Sequence, residues 1–308
     1  MQGKKVCITG GAGFIGSHVA KQCLLEGAEV RIIDNLSTGR VENIAHIKER
    51  ITFIEGDVCD QKLLEETFTG VDYVIHLAAF VSVPLSITHP IESNEVNVDG
   101  SLAVFLSASK CGVKRVVYAS SSAVYGDVEE MPISEDQILK PLSPYALQKM
   151  TTEQYASLFR KYFGLETVGL RYFNVFGPHQ NPDSDYAAVV PLFISRAKAG
   201  KEITIFGDGS ATRDFVYVED VARANILACV TDDANGEVFN IASGSETTIG
   251  DLAKSIIEIS GKQSQIVHAE KREGDIEHSV ADITKAKEVL KFTPTTTLQE
   301  GLHILSNS

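Results

Sequence analysis

The sequence has few of the features that mark secreted, metal-binding or membrane proteins. Its five cysteines, Cys7, Cys23, Cys59, Cys111 and Cys229, lie far apart without a CxxC pair, so we expect buried, reduced thiols and no metal site. The apolar runs are too short to cross a bilayer. The amino terminus enters a strand pattern at once and has no signal-peptide core. These absences predict a cytoplasmic protein without membrane association.

Positive charge is also scarce. The chain has 28 Lys and Arg against 41 Asp and Glu, a formal net charge of −13 at pH 7. Coating a nucleic acid backbone requires an excess of basic residues, so we expect no nucleic acid partner, although a local basic pocket for one small anion stays open. What the chain does have is length and apolar content, 308 residues and 44% hydrophobic, enough for a large core and about two domains.

Short β-rich runs alternate with longer stretches of helical period. Several of these runs are apolar on consecutive residues, as expected of strands that are covered on both faces. The runs lie at residues 4–9, 28–34, 51–56, 71–78, 113–120 and 166–172. Such alternation produces right-handed βαβ units. The pattern therefore predicts an α/β fold with a doubly wound parallel sheet of the Rossmann type.

The first predicted strand runs directly into a glycine-rich turn, Thr9-Gly10-Gly11-Ala12-Gly13-Phe14-Ile15-Gly16. Gly10 permits a tight turn, Gly13 lets the backbone approach a pyrophosphate, and Gly16 allows close packing of the following helix. Asp34 ends the next strand about 20 residues later, where a carboxylate can accept from both ribose hydroxyls. This strand, turn and helix context predicts a dinucleotide-binding site.

Asp34 also bears on which dinucleotide binds. Its charge would repel a 2′-phosphate, which favours NAD over NADP, while Arg31 and Arg40 leave NADP open. Asp57 and Val58 follow the third strand, where Asp57 can reach the adenine edge. A plain turn aspartate is the alternative for Asp57.

The glycine spacing, GxxGxxG, resembles that of the short-chain dehydrogenase/reductase superfamily, whose extended branch has this length. The resemblance covers essentially the whole chain and includes His76-Leu77-Ala78-Ala79, Ser120-Ser121-Ser122 and Tyr145-Ala146-Leu147-Gln148-Lys149. It implies an NAD-binding domain over residues 1–175 and a smaller substrate domain over residues 176–308, with segments near 215–243 returning to the first. Besides the three glycines, Asp34 and Asp57, the implied cofactor contacts are Phe14, Ile15, Asn35, Ser37, Thr38, Gly39, Val58, Leu77, Ala78, Ala79, Asn97, Ser120, Tyr145 and Lys149.

Tyr145 and Lys149 are four residues apart, so on a helix they share one face. Ser143 can cap that helix, with Pro144 at its first position. A phenol normally ionises near about 10. We expect Lys149, the positive nicotinamide ring and the helix terminus to lower the pKa of Tyr145 and make it a general base. Ser121 completes the superfamily's Ser/Thr, Tyr and Lys triad, although a slip of one residue along the serine run stays open.

Within the superfamily the chain resembles the nucleotide-sugar 4-epimerases, specifically the group that acts on UDP-N-acetylhexosamines. The resemblance makes Asn174 a diphosphate contact, Arg213 and Arg272 a clamp on the UDP phosphates, and Asp275 a partner of the uridine ribose. Ser279 takes the place of a bulky tyrosine in hexose-restricted relatives, which leaves room for a 2-acetamido group. The further implied substrate contacts are Ser82, Ser121, Ser122, Tyr145, Val190 and Phe206, the last two at the uracil.

The resemblance implies an isomerase that oxidises a UDP-sugar at carbon 4, lets the 4-keto sugar turn, and returns hydride to its other face. The rival is a nucleotide-sugar 4,6-dehydratase or decarboxylase, but Ser122 and Ala123 stand where dehydratases carry Asp-Glu, and neither can supply that acid. A non-catalytic NAD sensor would lack the Tyr and Lys pair. By analogy with relatives, we expect a homodimer formed through helices near residues 98–111 and 146–163.

Overall fold

The computed structural model describes residues 1–181, 188–271 and 276–307. Its strands are β1 (Lys5–Thr9), β2 (Glu29–Asp34), β3 (Ile51–Glu55), β4 (Tyr73–His76), β5 (Arg115–Ser121), β6 (Glu166–Tyr172), β7 (Asn174–Phe176), β8 (Ile203–Phe206), β9 (Thr212–Arg213), β10 (Phe215–Tyr217), β11 (Val238–Ile241), β12 (Thr247–Thr248) and β13 (Ile266–Ala269). Each of the six predicted strands is present with its ends within two residues of the predicted ones.

The helices are α1 (Phe14–Leu25), α2 (Gln61–Phe68), α3 (Val83–Thr88), α4 (Pro90–Asn94), α5 (Gly100–Lys110), α6 (Pro144–Phe163), α7 (Val189–Lys198), α8 (Val218–Val230), α9 (Ile249–Ser260) and α10 (Leu298–Asn307). A π-helical turn at Glu95–Asp99 joins α4 to α5, and a second lies at Ala286–Leu290. Short 3₁₀ segments lie at Val41–Arg50, Ser122–Tyr125 and Asp232–Ala234. No helix in these described ranges is long and apolar enough to cross a membrane.

Seven strands form the central sheet, in the order β11-β6-β5-β4-β1-β2-β3. All six pairings are parallel. The chain proceeds outward from β1 to β3 and then returns to β4 on the other side of β1. The strand order therefore reverses between β1 and β4, the place where open α/β sheets bind their ligands. This arrangement confirms the predicted doubly wound Rossmann-type fold.

Side chains that alternate along each strand build a core on both faces of the sheet. Val6 and Ile8 pack in one cluster with α1 and α8. Cys7, between them, packs on the other face with α2, α5 and α6. All five cysteines are free thiols, but Cys59 is exposed and Cys111 is only half-buried, so the prediction that every cysteine is buried is wrong at these two positions.

A separate apolar cluster lies among α7, α9, α10, β8 and β13. Strands β8 and β13 pair with each other and not with the central sheet. By contrast, β11 adds to the large sheet beside β6, from Val238↔Gly169 to Ile241↔Tyr172. The division into two domains near residue 175 stays a prediction.

Candidate functional site

The glycine turn between β1 and α1 leaves space at the amino end of the helix. Gly10 has a φ of +70°, and a methyl group there would lie 2.7 Å from the backbone nitrogen of Ala78. A methyl group on Gly16 would overlap the carbonyl oxygen of Gly10. Protein packing therefore requires glycine at both positions.

Gly13 differs from its neighbours, because nothing in the protein forbids a side chain there. Its backbone is extended, with φ −75° and ψ −179°, and a methyl group would meet only the carbonyl oxygen of Gly10, at 3.2 Å. No side chain caps α1 at this residue, and no acidic residue lies in its first turn. The first amides of the helix and the space before them suit a pyrophosphate.

Asp34 lies at the end of β2, beside the glycine turn. Its buried carboxylate accepts from the backbone nitrogens of Ala12, at 2.9 Å, and Leu36, at 2.8 Å. The backbone of Gly39 packs so close that a methyl group there would lie 2.7 Å from Oδ1. A carboxylate has about four acceptor positions, so Asp34 keeps lone pairs for ribose hydroxyls. Arg31 donates to the carbonyls of Thr67, at 2.6 Å, and Thr69, at 3.1 Å, away from any 2′-phosphate.

Asp57, which the sequence predicts at the adenine edge, lies next to Asn35. The amide nitrogen of Asn35 donates to Asp57 at 2.8 Å, and its oxygen accepts from the backbone nitrogen of Ser37 at 3.1 Å. Partial burial would raise the pKa of Asp57, but hydrogen bonds from Cys59 and Asn35 outweigh it and hold the pKa below its usual value. Ser37 and Thr38 are exposed, and Val58 is buried.

A chain of buried hydrogen bonds holds the segment after β4 against the glycine turn. The backbone nitrogen of Ala78 donates to Thr9, whose hydroxyl lies 2.7 Å from Nδ1 of His76. On the other side of the ring, Nε2 lies 3.1 Å from the hydroxyl of Ser101, which donates to the carbonyl of Asn97. Because that donation uses the Ser101 proton, the ring must be neutral and protonated at Nε2. Burial and, secondarily, the charge of Lys149 lower the pKa of His76 to about 3.

The helix that carries Tyr145 and Lys149 begins as predicted. The Ser143 side chain accepts from the backbone nitrogen of Ala146 at 3.2 Å, and Pro144 is the first helical residue. Ser86, which the sequence analysis missed, accepts from the backbone nitrogen of Tyr145 at 3.1 Å. Only tertiary contact reveals that role, since Ser86 lies 59 residues away along the chain.

Tyr145, Ser121 and Lys149 come together at the carboxyl end of β5. Ser121 lies beside the Tyr145 phenol and lowers its pKa. The Lys149 nitrogen lies 5.9 Å from the centre of the Tyr145 ring and donates to the carbonyl of Ala119 at 2.9 Å. These contacts place all three groups of the predicted triad on one patch.

Desolvation dominates the pKa of Tyr145 in the protein alone. Burial raises it above the usual value, and Ser121 offsets only part of that effect. Burial also lowers the pKa of Lys149 to about 8. The predicted lowering by Lys149, the nicotinamide ring and the helix terminus together concerns the NAD complex and stays a prediction.

The serine run on β5 separates into three different environments. The Ser120 hydroxyl donates to Glu153 at 2.5 Å and is buried, while Ser121 contacts Tyr145. Ser122 begins the short helical turn Ser122–Tyr125. Neighbouring side chains on a strand point to opposite faces, so only Ser121 of the three contacts the phenol.

Asn97 is buried and uses its amide within the protein. Its oxygen accepts from the backbone nitrogen of Phe80 at 2.8 Å. Its nitrogen donates to the Phe80 carbonyl at 3.0 Å and to Gln148 at 2.8 Å. Asn97 therefore links the segment after Leu77 and Ala79 to the helix that carries Tyr145. Direct contact with a cofactor stays a prediction for these residues.

The predicted substrate residues lie on β7, β8 and β9 and around α7. The backbone of Asn174 donates to the carbonyl of Asp214 at 3.0 Å, so Asn174 lies next to the position after Arg213. Phe206 ends β8 with 40% of its surface exposed, as a stacking ring requires. Val190 is only 2% exposed and packs in the core, so its contact with a base stays a prediction.

Two further predicted substrate residues are small serines. Ser279 is buried. Ser82 caps α3 by accepting from the backbone nitrogen of Leu85 at 3.3 Å. Arg272 and Asp275 lie outside the described residues. Among the residues that are described, no group of His, Cys, Asp or Glu could hold a metal ion.

Comparison with known proteins links this geometry to one family. The sequence model described as the NAD dependent epimerase/dehydratase family matches residues 6–242. A crystal structure of UDP-glucose 4-epimerase with UDP-glucose, from Thermotoga maritima, is 41% identical with a TM-score of 0.94, covering 98% of this chain and 97% of that one.

Two other relatives show the range of the family. The structure of UDP-N-acetylglucosamine 4-epimerase from Methanobrevibacter ruminantium, in complex with UDP-N-acetylmuramic acid, is 42% identical with a TM-score of 0.95, covering 100% of this chain and 98% of that one. A UDP-N-acetyl-alpha-D-glucosaminuronate decarboxylase from Bacillus cytotoxicus is 36% identical, over 97% of this chain and 95% of the relative. With these matches across nearly its whole length, the chain is an NAD-dependent enzyme that belongs to the NAD dependent epimerase/dehydratase family.

Proposed function

We propose that this chain is a 4-epimerase that interconverts UDP-N-acetylglucosamine and UDP-N-acetylgalactosamine, with UDP-glucose and UDP-galactose as a second substrate pair. The observation that carries the proposal is the meeting of Ser121, Tyr145 and Lys149 at the end of β5, with Lys149 5.9 Å from the centre of the Tyr145 ring. This arrangement suits removal of the proton from a sugar hydroxyl while the carbon that bears the hydroxyl is oxidised. Relatives of both substrate types support the choice of substrate class.

Gly10, Gly13 and Gly16 would hold the pyrophosphate of NAD at the amino end of α1, and Asp34 would hold the adenosine ribose. NAD, when bound, would supply the hydride acceptor for sugar carbon 4, the donor for the hydride's return, and positive charge near the phenol. Tyr145 takes the proton of the 4-hydroxyl, and Ser121 donates a hydrogen bond to the same oxygen as it becomes a carbonyl. Lys149 stabilises the phenolate by its charge.

Inversion requires the 4-keto sugar to present its second face to the same site. In this proposal Asn174, Arg213 and Arg272 would bind the diphosphate, and Phe206 and Val190 would bind the base, so none of these residues holds the reacting carbon. The sugar can therefore turn about its phosphate linkage while the nucleotide stays bound. Asp275 would bind the uridine ribose, and Ser82, Ser122 and Ser279 would border the 2-acetamido group.

The second candidate is decarboxylation or 4,6-dehydration, because a decarboxylase is among the relatives. Elimination at carbons 5 and 6 needs an acid beside the triad serine, and this chain has Ser122 and Ala123 there. Neither side chain can donate a proton to a leaving hydroxyl. Epimerisation is therefore a better proposal than dehydration, and the product test below separates it from decarboxylation.

We also propose a cytoplasmic homodimer. Apolar side chains are exposed along one side of α6, with Leu158 45% and Tyr162 68% exposed. Ile91, on α4 just before α5, is 76% exposed. Apolar faces of this kind suit a bundle formed with the same helices of a second copy. Five free thiols are consistent with a reducing compartment.

The test is to incubate the purified protein separately with UDP-N-acetylglucosamine and with UDP-glucose, with no added NAD, and to identify the sugars released. We expect the galacto-configured product in each case, because the cofactor is regenerated in each turnover. Tyr145→Phe is the control and should yield no product. A decarboxylated or dehydrated sugar would contradict the proposal in favour of the second candidate.

A further inference from the structure

One face of α6 contacts the end of β5 at three successive turns. Tyr145, Lys149 and Glu153 are spaced four residues apart and lie on the same side of the helix. The Lys149 ammonium and the Glu153 carboxylate hydrogen-bond Ala119 and Ser120, and the Tyr145 phenol interacts with Ser121. The third contact, that of Glu153, has no part in the chemistry proposed above.

The Glu153 carboxylate is held by Arg171, which lies on β6. Two parallel hydrogen bonds join them, Nε to Oε1 at 2.9 Å and Nη2 to Oε2 at 2.7 Å. The Ser120 hydroxyl donates to Oε1 as well, and Ser120 is the register partner of Arg171 on the adjacent strand. All three residues are buried. A bidentate pair of this geometry fixes both the position and the charge of the carboxylate.

Arg171 is itself held from the other side. Its Nη1 donates to the Tyr125 hydroxyl at 2.9 Å and to the carbonyl of Glu135 at 3.2 Å. Tyr125 in turn donates to Asn240 at 2.6 Å, and Asn240 is the register partner of Arg171 on β11. Every nitrogen of the guanidinium therefore has a partner, and the group has one position.

This arrangement decides the partner of Lys149. A lysine and a glutamate four residues apart on a helix normally attract each other. Here no ion pair joins Lys149 to Glu153, both of which are described, and Lys149 donates to the carbonyl of Ala119 instead. Arg171 binds the Glu153 carboxylate, which would otherwise attract the Lys149 ammonium toward the next turn of the helix.

We propose that Arg171 is a positioning residue for the reaction: by binding Glu153 it keeps that carboxylate from Lys149, so the ammonium stays directed at Tyr145 and the end of β5. The inference rests on the proposed role of Tyr145 as the base. It predicts that an unpaired Glu153 draws Lys149 away and makes the Tyr145 phenol harder to ionise.

The other charged and titratable groups near this patch are few and come from the surrounding elements. His76, from β4, has its pKa lowered to about 3 by burial and stays neutral near pH 7. Burial raises the pKa of Tyr118, on β5, and that of Tyr125, in the following turn, to about 12 or above. Burial also raises the pKa of Glu135. Lys149 is therefore the group whose placement decides the charge that faces Tyr145.

The test is a titration of the Tyr145 phenol in the NAD complex without sugar, read from phenolate absorbance after subtraction of the Tyr145→Phe spectrum. For Arg171→Gln we expect the midpoint to rise by about one pH unit, as expected when one nearby cation is lost. The acid limb of the kcat profile should rise with it while KM changes little. Adding Glu153→Gln should return the midpoint to the parent value, although the double variant lacks the whole pair.

Arg115→Gln is the matched control. Arg115 is equally buried and lies at the opposite end of β5, paired with Glu166 at 2.7 Å. Its loss should cost stability but leave the Tyr145 midpoint in place. If Arg171→Gln does not fold, Arg171→Lys with and without Glu153→Gln carries the same comparison, because a lysine cannot form the bidentate pair.

An equal Tyr145 midpoint in the single and double variants overturns the proposal, and a raised midpoint that the second substitution reverses supports it. The titration needs no sugar substrate. A protein that fails to epimerise UDP-sugars but shows the reversible shift would therefore refute the proposed function and leave this inference standing.

Discussion

The hydroxyl of Ser121, at the carboxyl end of β5, faces the phenol of Tyr145, in the first turn of α6, and lowers its pKa. In the proposed reaction Tyr145 is the base, and Ser121 donates a hydrogen bond to the carbonyl that forms. Because burial raises the pKa of Tyr145 and Ser121 is the group that lowers it, the pair has to be considered as one unit.

The first prediction concerns Ser121. Ser121→Ala should lower kcat on the order of 10²-fold, the usual cost of losing one donor to a developing oxyanion. KM should change little, since the nucleotide contacts are intact. Ser121→Thr retains a hydroxyl and should restore most of the rate. Steady-state kinetics on a UDP-sugar measures both, and an unchanged kcat in Ser121→Ala would exclude the role.

The second prediction separates two glycines of the turn. Gly13→Ala should fold normally, since a methyl group there meets only the carbonyl of Gly10 at 3.2 Å, but it should weaken NAD binding by obstructing the pyrophosphate. Gly16→Ala should destabilise the fold itself, because its methyl group overlaps the backbone of Gly10. Thermal unfolding and titration with NAD distinguish the two. Full NAD affinity in a folded Gly13→Ala would show that the pyrophosphate lies elsewhere.

The third prediction is a loss of stability in acid that depends on His76. Its pKa is lowered to about 3 in the folded protein from a usual value of 6.5, so between those values the unfolded chain binds the extra proton. The contribution of neutral His76 to the free energy of unfolding should therefore be fully present above about pH 6.5. On acidification the free energy of unfolding should fall by up to about 1.4 kcal/mol per pH unit because of this residue. His76→Gln should reduce the slope. Denaturant unfolding at several pH values measures it.

His18 supplies the control for that experiment, since burial lowers its pKa to about 4. His18 titrates in an overlapping pH range, but it lies on α1, where its Nε2 is hydrogen-bonded to the carbonyl of Pro178. His18→Gln should reduce the acid slope without disturbing the chain from Thr9 to Ser101. A slope that His76→Gln leaves unchanged would mean that the imidazole is not buried in its neutral form.

The fourth prediction concerns the wall at Ser279, which is buried. Ser279→Tyr adds a large side chain, and it should reduce kcat/KM for UDP-N-acetylglucosamine at least about tenfold more than for UDP-glucose, because steric exclusion discriminates strongly. Ser279→Ala should change neither substrate greatly. Parallel assays on the two nucleotides provide the measurement. Equal losses on both would place the acetamido group elsewhere.

The fifth prediction concerns assembly. Tyr162→Glu, on the exposed apolar side of α6, should convert a dimer into monomers, because a charge would be buried in the interface. Leu25→Glu is the matched control, since Leu25 is similarly exposed, 65% against 68% for Tyr162, and lies on α1. Sedimentation velocity reads the mass. A parent protein that is already monomeric would refute the proposed homodimer.

Much of the fold could be predicted from local pattern. Apolar runs gave the strands, since a strand covered on both faces needs consecutive apolar residues. The cap at Ser143 and the proline after it marked the start of α6 because both act on the helix's own first turn. Helical spacing put Tyr145 and Lys149 on one face of α6, and the dinucleotide site upstream and the superfamily resemblance predicted their catalytic role. What these features share is that the interacting residues are near one another along the chain.

Other parts of the site could not be predicted this way. Three consecutive serines, Ser120 to Ser122, are equivalent in the sequence, and only the positions of Glu153 and Tyr145 in space distinguish them. The raised pKa of Tyr145 results from burial by distant segments. Ser86 and Ser101 lack any local motif, and their roles exist only through contacts with Tyr145 and His76.

The sequence by itself therefore determined the parallel sheet, the glycine turn with Asp34, and the Tyr145 and Lys149 pair, because short-range sterics and periodicity govern each of them. The tertiary structure alone decided which serine reaches the phenol, which tautomer His76 adopts, and that Arg171 rather than Lys149 pairs with Glu153. Those outcomes depend on desolvation and on competition between hydrogen-bonding partners from separate elements, and such competition is settled only when the elements pack together.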